Sequence, residues 1–111
     1  MGLWLLAVLA AFAPEAASGD ARLVVERSPG EVRVTGVYDG PARDGLTYRL
    51  TVEKEGASGR SRSAQSGAVR GDTLSTSAVA VAPGDRLVVE LRIEEGARLV
   101  AADALDTRIE R

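Results

Sequence analysis

The residue types that most often do chemistry are scarce in this chain of 111 residues. It contains no cysteine and no histidine, which excludes disulfides, thiol redox chemistry, Cys/His zinc sites and catalysis by an imidazole. The single lysine, Lys54, lies among acidic residues at the end of a predicted strand. Because His, Cys and Lys do not cluster anywhere, a catalytic centre is hard to place.

Carboxylates occur in pairs at Glu53/Glu55 and at Glu94-Glu95. Each pair lies at the end of a predicted strand beside a glycine, where solvated charge is the default interpretation. The segment DGPARDG (39–45) lacks the carboxylate spacing of a calcium loop, and the chain has no glycine-rich phosphate loop. The sequence therefore predicts a protein that is not an enzyme and that needs no metal or cofactor.

One charge asymmetry stands out in the stretch GRSRSAQSGAV (59–69) and its flanks. No acidic residue occurs between Gly56 and Gly71, whereas Arg60, Arg62 and Arg70 do. In an extended chain Arg60 and Arg62 share one face, and the polar residues Ser61, Ser63 and Gln65 share the other. Such a strand is typical either of a sheet edge guarded by charge against aggregation or of a surface that meets a partner.

The elements that position these residues are short strands separated by Gly, Pro and Asp turns. Apolar and polar residues alternate along them, as in LTYRLTVEKEG (46–56), and no helical period is convincing. Gly36 interrupts the second segment and predicts a bulge before Val37. The predicted segments are 22–27, 31–38, 46–56, the polar stretch 59–69, 72–85, 86–96 and 97–105.

This pattern predicts an all-β fold, an immunoglobulin-like antiparallel β-sandwich of about seven strands without a disulfide. Its core must be built from Val, Leu, Ile and Ala, because only two tyrosines lie beyond the N-terminal segment. A small closed barrel is the competing architecture. The tail DALDTRIER (103–111) is also compatible with a short helix.

Residues 1–18 are similar to a secretory signal peptide, which leaves residues 19–111 as a single β-sandwich domain. The apolar run 3–13 is too short to span a bilayer, and small residues at Ala16 and Ser18 favour cleavage after Ser18 or Gly19. No Lys or Arg precedes the run, so a misassigned start codon and a buried N-terminal helix stay open. An exported protein without disulfides fits the bacterial periplasm.

Charge and composition bear on the partners of the exported chain. The net charge is −2 and aromatic residues make up 4% of the chain, which argues against a nucleic-acid partner. We expect no membrane association once the signal peptide is removed.

The stretch LTYRLTVEKEGASGRSRSAQSGAV (46–69) resembles the centre of the periplasmic curli-subunit aggregation inhibitors, in their CsgH-like branch, related to CsgC. PGDRLVVELRIEEG (83–96) is similar to the family as well, and the resemblance covers about residues 20–105. The Cys-x-Cys of the CsgC branch is absent, so no redox role carries over. The shared residues are Tyr48, Leu50, Val52, Gly56, Ser58, Gly59, Ser61, Gln65, Ser66 and Gly67.

The resemblance implies a non-enzymatic periplasmic chaperone that acts as a monomer without a cofactor. It would inhibit premature amyloid polymerisation of curli-type subunits, major and minor, by transient and partly electrostatic binding. From the residues alone, a generic exported immunoglobulin-like module that binds a protein or a saccharide stays open. The residues expected to meet the client are Arg49, Arg60, Ser61, Arg62, Ser63, Gln65 and Arg70.

Overall fold

The computed structural model describes residues 20–41 and 43–110, so the predicted signal peptide lies outside the described residues. Seven strands form two antiparallel sheets, as the sequence predicts. The strands are β1 (Ala21–Ser28), β2 (Glu31–Tyr38), β3 (Leu46–Gly56), β4 (Gly59–Ala68), β5 (Thr73–Ala80), β6 (Arg86–Glu95) and β7 (Arg98–Arg108).

The smaller sheet has the strand order β1-β2-β5 and the larger one β4-β3-β6-β7. The chain passes from one sheet to the other after β2, β4 and β5, and short turns join the hairpins β1–β2, β3–β4 and β6–β7. This two-sheet arrangement confirms the β-sandwich. The closed barrel is wrong, because the strands at the sheet ends do not pair with one another.

The core lies between the two sheets and consists almost wholly of aliphatic residues. Leu50, Leu91 and Ile93 of the larger sheet pack with Val34 of the smaller one, and each is at most 1% exposed. Successive side chains of a strand point to opposite faces, so every second residue contributes to this layer. The inward face of β6 is formed by Leu87, Val89, Leu91 and Ile93, which are all buried.

The bulge predicted near Gly36 is confirmed by a register shift between Gly36 and Val37 in the pairing of β2 with β5. A side chain at this position would press on the core, since a Cβ built on Gly36 lies 3.2 Å from Leu91 Cδ1. Glycine therefore leaves room for a large core leucine at the place where the strand is irregular.

The C-terminal tail extends β7 to Arg108, so a helix over 103–108 is wrong. Its residues alternate between the two faces, which places Leu105 in the core, and Ile109 just beyond the strand is buried as well. Ile109 is tied to the β5–β6 turn by its N–H, which donates to the Asp85 carbonyl at 2.7 Å. The residues that the structure describes include no helix long and apolar enough to cross a membrane.

Candidate functional site

The polar stretch of the sequence forms β4, the end strand of the larger sheet, and pairs with β3 alone. Every residue of β4 is exposed except Gln65, which is half-buried. Its two faces therefore both meet solvent, although one of them continues the inner face of the sheet. Such a strand adds little to the core, so its polar sequence is not dictated by packing.

The two faces of β4 carry different side chains. Ser63 and Gln65 lie opposite the buried residues Val52 and Leu50 of β3, so they continue the inner face, together with Ser61. The outer face carries Arg60, Arg62, Ala64 and Ser66, beside β3 residues that point away from the core. The side-chain alternation expected from the sequence is thus present along the whole strand.

Arg60 and Arg62 both have carboxylate partners on β3. Arg60 pairs with Glu55 at 2.5 Å and Arg62 with Glu53 at 3.8 Å. The hydrogen bond and the charge of Arg60 hold the pKa of Glu55 below its ordinary value. The acid-free window of the sequence is therefore not a surplus of positive charge in this half of β4, because the neighbouring strand supplies the acids.

Arg49 and Arg70 differ from this pair. Arg49 lies on the outer face of β3 opposite Ser66, and Arg70 follows the last residues of β4. Within residues 20–41 and 43–110 neither guanidinium forms an ion pair, whereas Arg92, the neighbour of Arg49 on β6, pairs with Glu90 and Glu94. The uncompensated positive charge around β4 lies at its C-terminal half.

A shallow groove of about 330 Å³ separates β4 from β5, the end strand of the other sheet. Ser61, Ser63 and Val79 are among the residues that line it. Lys54 reaches across the groove, and its ammonium donates to the Ala80 carbonyl at 3.0 Å. The lone lysine is therefore a bridge between the sheets at the open side of the sandwich.

Gly67 allows the ring of Tyr48 to lie over β4. A Cβ at Gly67 would approach the Tyr48 ring to 3.3 Å, and the half-buried tyrosine packs against the core beside it. The Gln-Ser-Gly element that carries part of the family resemblance thus has a packing reason for its glycine.

The carboxylate pairs singled out in the sequence are engaged in ion pairs. Glu94 accepts from Arg92 at 3.2 Å, and Glu95 from Arg98 at 2.8 Å. A lowered pKa, as at Glu55, is the opposite of what a general acid at neutral pH needs. No group of three His, Cys, Asp or Glu residues that could hold a metal ion occurs in the described part of the chain.

The fold and this strand define the class of protein: a small immunoglobulin-like β-sandwich whose larger sheet ends in an exposed polar strand. Two solved structures share the architecture. The first is CsgH of R. palustris, with 25% identity, a TM-score of 0.58 and coverage of 80% of this chain and 90% of that one. The second is the E. coli curli protein CsgC, with 16% identity, a TM-score of 0.61 and coverage of 81% and 96%.

The resemblance to CsgH and CsgC that residues 46–69 indicate is thereby confirmed in the fold, which covers most of all three chains. A scan against protein-family models and a search of curated proteins give no match. The chain is CsgH- and CsgC-like in its structure.

Sequence reasoning missed the contacts of two charged residues, Lys54 beside the candidate site and Asp103 on the opposite side of the sandwich. Asp103 of β7 accepts from the Leu23 N–H of β1 at 3.0 Å, so it connects the sheets on the side opposite Lys54. The sequence does carry a signal for Asp103. It lies two residues before the buried Leu105, so it is a charged residue on the inward face of the strand, which is typical of a protected sheet edge. Which strand each would face could not be predicted without the sheet order.

Proposed function

We propose that this protein is a non-enzymatic periplasmic chaperone that inhibits premature amyloid polymerisation of curli-type subunits. The similarity to CsgH and to the curli protein CsgC supports a curli-related role. The observation that carries the proposal is the position of β4, which presents a long polar strand to solvent on this fold. Binding is transient, and the protein acts as a monomer.

The client surface in this proposal consists of one charged and one uncharged part. Arg49 and Arg70 attract acidic groups of the subunit, because neither forms an ion pair with a carboxylate of the described residues. Ser61, Ser63 and Gln65 offer hydroxyl and amide groups to a polar chain. Arg60 and Arg62 belong to the same surface, but their charge is shared with Glu55 and Glu53.

Inhibition of this kind follows from how amyloid grows. Fibrils extend by adding strands to an unpaired strand edge. A soluble domain that binds the monomer or an early oligomer lowers the concentration of species able to nucleate. Weak binding suffices for this effect when the chaperone meets the subunit before secretion.

Thioflavin-T kinetics of purified curli subunit, with the protein present below equimolar amounts, test the proposal. We expect a longer lag phase that shortens again at high salt, because the Debye length falls from about 10 Å at 0.1 M to about 3 Å at 1 M ionic strength. A lag phase that does not change with added protein would overturn the proposed function.

A double variant tests the charged part of the surface. Arg49→Gln with Arg70→Gln should weaken inhibition roughly fivefold, the equivalent of about 1 kcal/mol for two exposed charges. The matched control is Arg22→Gln with Arg33→Gln, which changes the net charge equally on β1 and β2. If both variants weaken inhibition to the same extent, only net charge matters, and Arg49 and Arg70 do not belong to the contact surface.

A further inference from the structure

The free edge of β4 carries a defined set of backbone groups. Val69 N–H donates to the Leu46 carbonyl at 3.0 Å, one step beyond the pairing of Thr47 with Ala68. Because hydrogen-bonded and non-hydrogen-bonded pairs alternate in an antiparallel ladder, every second residue of β4 turns its N–H and C=O away from β3. These outward residues are Arg60, Arg62, Ala64, Ser66 and Ala68.

On each of the other end strands, a charged side chain hydrogen-bonds to one of the outward backbone groups. On the β1/β7 side, the two carboxylate oxygens of Asp103 accept from the Leu23 N–H of β1 and the Ala104 N–H of β7. On the other side, Lys54 donates to the Ala80 carbonyl of β5. Inward-pointing charges of this type are a known protection of sheet edges against pairing with another chain.

The edge of β4 lacks such protection. No side chain or loop among residues 20–41 and 43–110 hydrogen-bonds to its outward backbone groups. The strand is 10 residues long and contains neither proline nor lysine, the residues that most often blunt an edge. Its two arginines are paired with Glu55 and Glu53 on the neighbouring strand. The backbone edge is therefore open to a further strand.

From this difference we infer that the edge of β4 binds an extended segment of the partner as a fifth strand of the larger sheet. This inference rests on the proposed function for the identity of the partner. The backbone groups of the five outward residues supply the hydrogen bonds, the mode known as β-strand addition. Bound in this way, the segment has one of its own edges covered and cannot offer it to another subunit.

The surroundings of the edge define the chemistry of the segment. Ala64, Ser66 and Ala68 on one face, and Ser63 and Gly67 on the other, are exposed and carry little apolar surface. Polar residues such as Ser, Gln and Asn, and glycine, suit this surface. An acidic residue of the segment meets Arg70 or Arg49 at the C-terminal half of β4, which sets its position along the strand.

Amide hydrogen exchange measured by NMR on the purified protein, with and without a non-aggregating curli subunit, tests this binding mode. Strand addition protects alternate residues, so exchange at Arg62, Ala64 and Ser66 should slow about tenfold when the subunit is present at roughly ten times its Kd. Exchange at Ser63 and Gln65 is already slow, because their N–H groups bond to β3, so the loss of fast exchange should be confined to the alternate residues. Binding through side chains alone would not produce this period of two.

The hydrogen-exchange and thioflavin-T results separate the two proposals. A longer lag phase with alternating protection supports both. A longer lag phase without alternating protection overturns strand addition and leaves the chaperone function standing. Alternating protection with an unchanged lag phase overturns the chaperone function and leaves the edge as a strand-binding site. An unchanged lag phase without alternating protection overturns both proposals.

The variant Ala64→Pro provides an independent test. The Ala64 N–H points away from β3, and proline is tolerated in an edge strand at such a position. We expect a melting temperature close to that of the wild type and loss of the alternating protection. Ala64→Ser retains the N–H and should bind normally. If Ala64→Pro unfolds, the exchange pattern of the wild type still tests strand addition. If the variant folds and retains the alternating protection when the subunit is added, strand addition is contradicted.

Discussion

The two sides of the sandwich are closed to different degrees. On the β1/β7 side, Asp103 of β7 joins the end strands of both sheets by accepting from the Leu23 N–H of β1, and it also accepts from the Ala104 N–H on its own strand. On the β4/β5 side, Lys54 starts from the second strand, β3, and reaches β5, so that β4 lies outside the bridge. The end strands of one side are thus tied together, whereas on the other side a complete strand lies outside the bridge.

The position of β4 outside the bridge also explains why its sequence alternates like a strand but lacks an apolar face. Strand β4 has the alternation of a strand but no apolar face, whereas the strands around it all contribute to the core. Because β4 buries almost no apolar surface, it is held in place by its backbone pairing with β3 and by the hairpin that joins the two strands. The consequence is that substitutions in β4 and in β7 should affect stability very differently.

The largest expected difference is between Leu105→Ala on β7 and Gln65→Ala on β4. Leu105 is 2% exposed, so its truncation should lower the free energy of unfolding by about 2–5 kcal/mol. Gln65 is half-buried, and its side chain forms no hydrogen bond within residues 20–41 and 43–110, so its truncation should change that free energy by about 0.5 kcal/mol or less. Urea denaturation measures both, and similar losses would contradict the contrast between the strands.

Replacing Asp103 tests the closed β1/β7 side of the sandwich. Asp103→Ala leaves the N–H groups of Leu23 and Ala104 without their acceptor, which should lower the free energy of unfolding by about 1–3 kcal/mol. The control Asp106→Ala removes a carboxylate from the same strand that only pairs with exposed Arg86, a loss of about 1 kcal/mol or less. Thermal unfolding compares the two, and an equal shift in melting temperature would show that Asp103 does not join the sheets.

Replacing Lys54 tests the open side. Lys54→Met retains most of the side-chain stem but leaves the Ala80 carbonyl without its donor, and the loss of stability should be about 1 kcal/mol. The edge of β5 is then exposed beside the edge of β4, so we expect more concentration-dependent self-association than in the wild type by sedimentation velocity. Arg33→Met, on the outer face of β2, should remain a monomer at the same concentration. A monomeric Lys54→Met would contradict the role of Lys54 as an edge guard.

The smallest effect is the pH dependence of the Arg60–Glu55 pair. The folded protein holds the pKa of Glu55 below the ordinary 4.5, chiefly through the hydrogen bond from Arg60. The stabilisation is therefore present above that value and is lost as the pH falls through the folded pKa. Arg60→Gln should flatten the stability profile in this acidic range and leave it nearly unchanged at pH 7. If Arg60→Gln has the same loss of stability at acidic pH as the wild type, the ion pair between Arg60 and Glu55 does not form in solution.

Much of the fold could be predicted because each strand carries its own signal. The alternation in β2, β3 and β6 gives both their boundaries and their buried faces, and Gly36 marks the bulge. The C-terminal strand carries a weaker signal, because 103–108 mixes charged and apolar residues whose inward positions only the pairing with β6 reveals. Local pattern thus sufficed wherever one face of a strand is wholly apolar.

The candidate site could be predicted only in part. Its residues lie in one stretch, so the sequence identifies them, but their electrostatics depend on the adjacent strand. Glu53 and Glu55 precede the acid-free window along the chain, yet the hairpin folds them against Arg62 and Arg60. The distinction between neutralised and free arginines therefore needs the register of β3 with β4. The open backbone edge needs the strand order of the whole sheet.

An NMR titration of isotope-labelled protein with a non-aggregating curli subunit tests the central claim most directly. We predict that resonances of residues 60–70 and of Arg49 shift or broaden as the subunit is added. Resonances of β1 and β7 around Leu23, Asp103 and Ala104 should remain unchanged. Shifts confined to the β1/β7 side, with β4 unaffected, would contradict the account.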